Sequence, residues 1–349
     1  NKKIMINIKN CLLHNYGKPF IVAEAGINHN GELEKAFEMI KVAKASGVDA
    51  VKFQTYKTEE ICGDKKQMFT YRTQGKEVTE SMFEVFKRYE FTRDEWIKIK
   101  RKCDNENILF LSTPQNRSDL DLLLELGIPA IKVGSDDFTN LPLLEDYATT
   151  KLPMIVSCGM SDLSEVYQAL EVIGTFDDYP TILLLCTSQY PTPSEDVNLL
   201  KLKTLSNAFP DLVLGFSDHT QGVLASSLAV VFGAVFFEKH FTLDNNLPGP
   251  DHWFSENPEN LKLWVDSIHQ SYQMMGSALV RPTQGEVYNK KEYQRVLVAN
   301  DVINQGDIFS NSNLSAQRAG GFGFPPSLAK KIIGLKSNRM YKKGEIITI

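Results

Sequence analysis

A (β/α)8 barrel followed by a small β-rich domain is the fold this chain predicts, and three observations carry it. Eight short apolar runs alternate with amphipathic segments from residue 20 to residue 276. The runs are almost continuously apolar, as strands buried on both faces require. Beyond residue 276 the pattern changes to a polar connector and then to short runs broken by Gly-Asp-Ile and Gly-Glu-Ile.

The strand candidates are FIVAEAG (20–26), AVKFQTY (50–56), ILFLSTP (108–114), AIKVGSDD (130–137), MIVSCGM (154–160), TILLLCTS (181–188), LVLGFSDH (212–219) and AVFFEKHFT (234–242). Each is rich in β-branched or aromatic residues and short enough for a strand. Between the first two, apolar residues at 33, 36, 37, 40 and 43 mark a helix with one buried stripe, and Gly47 is placed to stop it. A last barrel helix is predicted at 258–276, with Pro258 in its first turn. Eight such units match a (β/α)8 barrel; a doubly wound open sheet is the alternative, but no nucleotide-binding glycine loop supports it. The segment 57–92 is too long for a turn, and a loop of that length on a barrel's catalytic face commonly walls the pocket.

The domain boundaries follow: a barrel over 1–276 with an N-terminal extension at 1–18, a linker at 277–289, and a β-rich domain over 290–349. In the last, VANDVINQGDIFS is echoed by KSNRMYKKGEIIT, predicting two hairpin-like units around the loop AQRAGGFGFPP, which carries Arg318. Sixty residues make a marginal core alone, so docking on the barrel or another subunit is expected.

Composition narrows the function. With 42% hydrophobic and 23% charged residues and a net charge of −5, the chain reads as a soluble globular protein with no general affinity for nucleic acid. No apolar stretch reaches the roughly 18 residues of a membrane span, and the first twenty residues lack a signal peptide's apolar run. The five cysteines are scattered without a CxxC pair, which favours free thiols in the cytoplasm.

A barrel collects its functional groups at the C-terminal ends of its strands. Here those ends carry Glu24, Lys52 and Gln54, Ser112 and Thr113, Lys132 with Ser135 and Asp137, Ser157, Thr187 with Ser188 and Tyr190, Ser217 with His219, and Glu238 with His240; Asp251 follows in a loop. Any one of these most simply satisfies local backbone, but eight strands ending alike is a pattern. Lys52 and Lys132 lie within apolar runs, where an unpaired ammonium is costly. Ringed by hydroxyls, they describe an anion pocket for phosphate or carboxylate; pairing of each with a neighbouring Glu or Asp is the competing reading. His219 and His240 are 21 residues apart, one helix and its turns, and so face one mouth from adjacent strands. Two neutral imidazoles suit an open divalent-metal site; acid–base and plain hydrogen-bonding roles stay open. His29 either lines the pocket or shapes its turn, His252 is unassigned, and His14 and His269 are read as structural or surface. Asp218 points away from the mouth and is read as structural.

Taken together, IVAEAGINHNGELEKA, AVKFQTYK, FLSTP, IKVGSDD, CTSQYPTP, GFSDHT, EKHFTLD and PGPDH resemble the sialic acid synthase family, the bacterial nonulosonate synthases. The resemblance runs from about residue 17 to the end, where the last segment looks like that family's antifreeze-like (SAF) domain. It implies condensation of phosphoenolpyruvate with an N-acetylmannosamine-type sugar and water, giving a nine-carbon 2-keto acid and phosphate with C–O cleavage. It further implies that Lys52, Thr113, Lys132, Ser135, Ser157, Ser188 and Ser217 bind phosphoenolpyruvate, and that His219 and His240 hold manganese, with magnesium or cobalt as substitutes. Glu24, Gln54, Asp137, Tyr190 and Asp251 match positions at the sugar or the reacting carbon. Arg318 matches an arginine that reaches a partner's active site and contacts the N-acetyl group, which implies a domain-swapped homodimer.

Three departures bear on the sugar. Asp137 stands where Glu is frequent, Ser188 where some members have Asn, and SCGM (157–160) where STGM is commoner. They leave open a 2,4-diacetamido-2,4,6-trideoxyhexose, as used for legionaminic or pseudaminic acid. Two further classes stand beside the synthase: a Schiff-base aldolase built on the two lysines, and a non-catalytic sugar- or ice-binding protein.

Overall fold

The computed structural model describes residues 5–348 and divides into two compact units, one ending at Gly276 and one beginning at Ser277. In the first, a short antiparallel hairpin, β1 (Ile6–Ile8) and β2 (Cys11–Leu13), precedes β3 (Phe20–Gly26) and β4 (Ala50–Thr55). A second antiparallel hairpin, β5 (Met68–Thr73) and β6 (Lys76–Ser81), leads to β7 (Leu109–Pro114), β8 (Ile131–Val133), β9 (Met154–Ser157), β10 (Thr181–Cys186), β11 (Val213–Asp218) and β12 (Phe236–His240). The eight strands β3, β4 and β7–β12 form one parallel sheet in the order β7-β4-β3-β12-β11-β10-β9-β8. β7 and β8 lie side by side without a ladder between them. Each strand is followed by helix, and the sheet curls into the (β/α)8 barrel.

Strand alternation sorts the side chains into two sets. Ile21, Ala23, Val51, Phe53, Leu183, Leu214 and Phe237 join the layer that packs against the helices. Phe20, Val22, Ala50, Leu111, Ile155, Ile182, Leu184 and Phe236 fill the lower barrel, and Ile6, Ile8 and Leu13 of the first hairpin pack onto them as a plug. Gly215 lies within this packing; a Cβ there would stand 2.4 Å from Leu184 and 2.5 Å from the Phe236 carbonyl oxygen. The interior positions one step higher are polar, so Glu24 follows Val22, Lys52 follows Ala50, Ser157 follows Ile155 and Glu238 follows Phe236.

Two segments differ from their expectation. AIKVGSDD is strand only to Val133, because the chain turns at Ser135 and Asp136, where Asp137 N–H donates to the Gly134 carbonyl, so Ser135 and Asp137 lie outside the strand. The segment 57–92 is a short helix, Thr58–Ile61, the β5–β6 hairpin and a helix, Met82–Tyr89.

The second unit opens on a helix, Gln284–Tyr293, where a linker over 277–289 is expected. Thr283 and Glu286 form a reciprocal capping box at its start. β13 (Val296–Ala299) and β14 (Leu314–Gln317) pair antiparallel. The two sequence echoes do not each fold on themselves; they pair with one another through Ile303 with Tyr341 and Ile308 with Lys336. Their turns match: Asn304 N–H donates to Asp307 and Lys342 N–H to Glu345, and Gly306 and Gly344 take φ of 88° and 83°. A small core including Leu297, Ile303, Phe309 and Tyr341 joins them.

Candidate active site

The C-terminal ends of the barrel strands enclose a cavity of ≈ 340 Å³. Glu24, Lys52, Gln54, Thr113, Lys132, Ser135, Ser157, Ser188, Tyr190, Ser217, His219 and His240 line it, together with Glu238, Cys186, Gln115 and Asp136. Three residues proposed from sequence lie elsewhere. Asp137 borders an adjoining cavity that shares Gln54 and Asp136 with this one. Asp251 sits in the loop after β12, where burial pushes its carboxyl up to about 6 against the pull of His219. Arg318 is exposed in the second unit, just past β14.

At the base of the cavity two lysines and two glutamates meet. Lys52 Nζ lies 3.0 Å from Glu24 Oε2 and 3.4 Å from Glu238 Oε2, and donates to Thr113 Oγ1 at 3.3 Å. Lys132 Nζ lies 3.5 Å from Glu238 Oε1 and donates to Ser157 Oγ and the Val133 carbonyl, both at 2.8 Å. Ser217 Oγ donates to Glu238 Oε1 at 2.7 Å. Pairing with carboxylates is therefore what both lysines do, while they also line the cavity. Glu238, paired with Ser217 across the β11–β12 register, is the hub that sequence reasoning left out of the binding set. Its place two residues before His240 was the available signal.

Burial pushes Glu24 up to about 7 even though Lys52 opposes it. Burial acts likewise on Glu238, but Lys132 and Lys52 together hold it down to about 2. Burial also lowers Lys132, whereas the two carboxylates lift Lys52 despite its burial. Glu24 Oε2 and Glu238 Oε2 are buried and lie near Lys52, but neither is aligned for a hydrogen bond.

Above this base, Gly159 N–H donates to Ser135 Oγ at 3.0 Å. A Cβ on Gly159 would lie 2.5 Å from Ser188 Oγ and 2.7 Å from Ser135 Oγ, so only glycine lets the two hydroxyls converge.

His219 and His240 face each other with ring centroids 5.7 Å apart, and the Tyr190 ring lies 4.2 Å and 5.8 Å from them. His219 Nδ1 donates to the Thr187 carbonyl at 2.7 Å, which in the neutral ring leaves Nε2 its lone pair, while Cys186 and this bond raise the ring's affinity for a proton despite burial. Burial, with the charges of His219 and Lys52, holds His240 well below the usual imidazole range, and its buried Nδ1 has no protein partner. The pair fits a divalent ion with open positions. No cluster of three or more His, Cys, Asp or Glu among the described residues could hold a metal, so the chain would supply two ligands only.

Behind the histidines, on the outer face of the same strands, a third buried lysine is fully engaged. Lys239 Nζ lies 3.1 Å from Asp218 Oδ2 and 3.7 Å from Glu256, and bonds to the Thr220 carbonyl. Asp218 also accepts from Thr220 and from Ser226, which accepts from Trp264 Nε1. Two of the remaining histidines are buried nearby: His29 stacks on Phe91 and accepts from Gly31 N–H, its Nε2 having no partner, and His252 bonds Thr242 and Asn30.

Fold and cavity define a barrel enzyme with paired lysines and glutamates at the base of its cavity and two histidines at the mouth. The chain belongs to the NeuB family, whose model matches residues 39–279. It is 37% identical to the N,N'-diacetyllegionaminic acid synthase of Legionella pneumophila over 93% of this chain and 92% of that one. It is 32% identical to the human N-acetylneuraminate-9-phosphate synthase over 91% and 88% of the two chains. Among solved structures, the N-acetylneuraminic acid synthetase of Leptospira borgpetersenii, in complex with citrate, is 32% identical, with a TM-score of 0.73, over 83% of this chain and 98% of that one.

Proposed function

We propose that this protein condenses phosphoenolpyruvate with an N-acetylated amino aldose and water, releasing phosphate and a nine-carbon 2-keto acid. The observation that carries this reading is the stacking of two elements in one cavity: two buried lysines at the base, ringed by hydroxyls, and a histidine pair at the mouth. The base suits a small, doubly anionic substrate, and the mouth suits the group that reacts with it.

Lys52, Lys132 and the hydroxyls of Thr113, Ser135, Ser157, Ser188 and Ser217 hold the phosphate and carboxylate of phosphoenolpyruvate. Its C3 forms a bond to the aldose aldehyde carbon, whose oxygen takes a proton. C2 then carries positive charge, which the Glu24 carboxylate stabilises. Water adds to C2 and loses a proton, and the tetrahedral intermediate breaks its C–O bond to expel phosphate. His219 and His240 would hold a divalent ion, manganese by preference, and such an ion supplies Lewis acidity to a carbonyl oxygen when bound.

Two coarser features complete the reading. No helix among the described residues is long and apolar enough to cross a membrane, in keeping with work on small cytoplasmic metabolites. The second unit acts as an antifreeze-like domain that brings Arg318 to the site of a partner subunit in a homodimer.

The test is phosphate release measured with each substrate alone and with both. Release that requires phosphoenolpyruvate and an acetamido aldose together supports the condensation. Trapping of a pyruvate adduct on Lys52 or Lys132 by borohydride would favour the Schiff-base aldolase instead.

A further inference from the structure

The β11–β12 ladder ends on the rung that sets Asp218 opposite Lys239, so His219 and His240 stand one residue beyond the last paired position. Each histidine is tied to the strand on its far side. The His219 carbonyl accepts from Thr192 N–H at 2.8 Å and its ring donates to the Thr187 carbonyl, whereas His240 pairs with Glu24 in the β12–β3 register. The seam between the two histidines is closed from the outer face. Lys239 Nζ, carried by β12, reaches across it to Asp218 and to the Thr220 carbonyl, the residues on either side of His219. Glu256, 3.7 Å from the same Nζ, also spans the seam: its carboxylate accepts from Gly222 N–H at 2.8 Å and its own N–H donates to the His240 carbonyl at 2.9 Å.

Two histidines share one ion well only when their rings are held within about 0.5 Å of the productive geometry. A buried ammonium between two carboxylates is an inefficient source of stability compared with apolar groups of similar volume, but its contacts fix the places of the groups around it. We propose that Lys239 is a positioning residue that sets the separation of His219 and His240 for a divalent ion. It acts through Asp218, the Thr220 carbonyl and Glu256, and touches neither the ion nor the substrate. The proposal rests on reading the two histidines as the ion's ligands.

The experiment uses the full chain with manganese alone, the free ion being counted by electron paramagnetic resonance. Lys239→Met keeps the apolar stem and removes the ammonium; it should weaken manganese binding by about 10–100-fold and shift the visible absorption bands of the cobalt-loaded protein. Asp218→Asn still accepts from Thr220 and should weaken binding by a smaller factor, which keeps a readout should Lys239→Met fail to fold. Trp264→Phe removes the donor to Ser226 at the far end of the network. It should lower the urea midpoint yet keep the manganese affinity and cobalt spectrum of the unaltered chain. Phosphoenolpyruvate affinity, read by calorimetry without metal, should be unchanged in all three.

A folded Lys239→Met or, failing that, a folded Asp218→Asn with unaltered manganese affinity and cobalt spectrum would overturn the positioning role and leave the histidine site intact. Equal losses of manganese affinity in Trp264→Phe and the Lys239 variant would overturn it as well, because general loosening would then suffice. If the unaltered chain binds no manganese, the two-histidine reading falls and this role falls with it.

Discussion

Two lysine–carboxylate clusters sit on opposite faces of the barrel sheet, meeting at β12, and they are finished to different degrees. On the outer face, Asp218 accepts from Thr220, Ser226 and Lys239, and Lys239 is held by Asp218, Glu256 and the Thr220 carbonyl. On the inner face, Lys52 and Lys132 meet Glu24 and Glu238, yet one oxygen of each glutamate is buried without an aligned donor. The residues are of the same types, both clusters draw on β12, and burial is nearly complete in both. What separates them is saturation. A closed network is architecture, whereas an open one is a set of charges still waiting for a counterpart.

This contrast can be broken at several points. The largest effect is expected from chelation: EDTA should abolish phosphate release and manganese should restore it, because His219 and His240 on the inner face would hold the proposed ion. Full activity in chelator would remove the metal from the reading. Next comes the outer cluster, where Asp218→Ala takes the nearer of two carboxylates from a buried ammonium and should cost about 3–5 kcal/mol of stability, read from the urea midpoint. A neutral result there would mean the network is not structural. On the inner face, Glu24→Gln should lower kcat by about 10²–10³-fold while leaving the urea midpoint within experimental scatter, the reverse of the Asp218 result.

The smallest effect is the pH dependence. Glu24 is raised to about 7, so it gains its proton as pH falls through that value and loses the charge that stabilises the cation. Accordingly kcat/KM, which reports the free enzyme, should fall on the acid side of about 7 and approach a plateau above it. A flat profile from pH 6 to pH 8 would exclude Glu24 as the titrating group.

The barrel was legible because its strands are buried on both faces, which leaves runs such as TILLLC with no polar interruption until the strand ends. The inner-face residues were legible for the same reason: a lysine inside AVKFQ stands out. The β5–β6 hairpin was not, since its residues are only exposed or half-buried and its turn uses Gln74 at φ 49° before Gly75, a weaker signal than Asn-Gly. The helix Gln284–Tyr293 buries nothing within its own unit, so it shows no apolar stripe; only the Thr283–Glu286 capping box announced it. Glu238 was visible at a strand end, but its role depends on three partners from other strands, which spacing along one chain cannot display.

The N-terminal hairpin has a kinetic consequence. Ile6, Ile8 and Leu13 stopper the barrel from below, so among the described residues the lysine base is approached from the strand-end side. Whatever binds at the lysine base must arrive before the aldose covers it, and phosphate formed there must wait until the sugar acid has left. Initial-rate and product-inhibition patterns should therefore be those of an ordered sequence, phosphoenolpyruvate first in and phosphate last out.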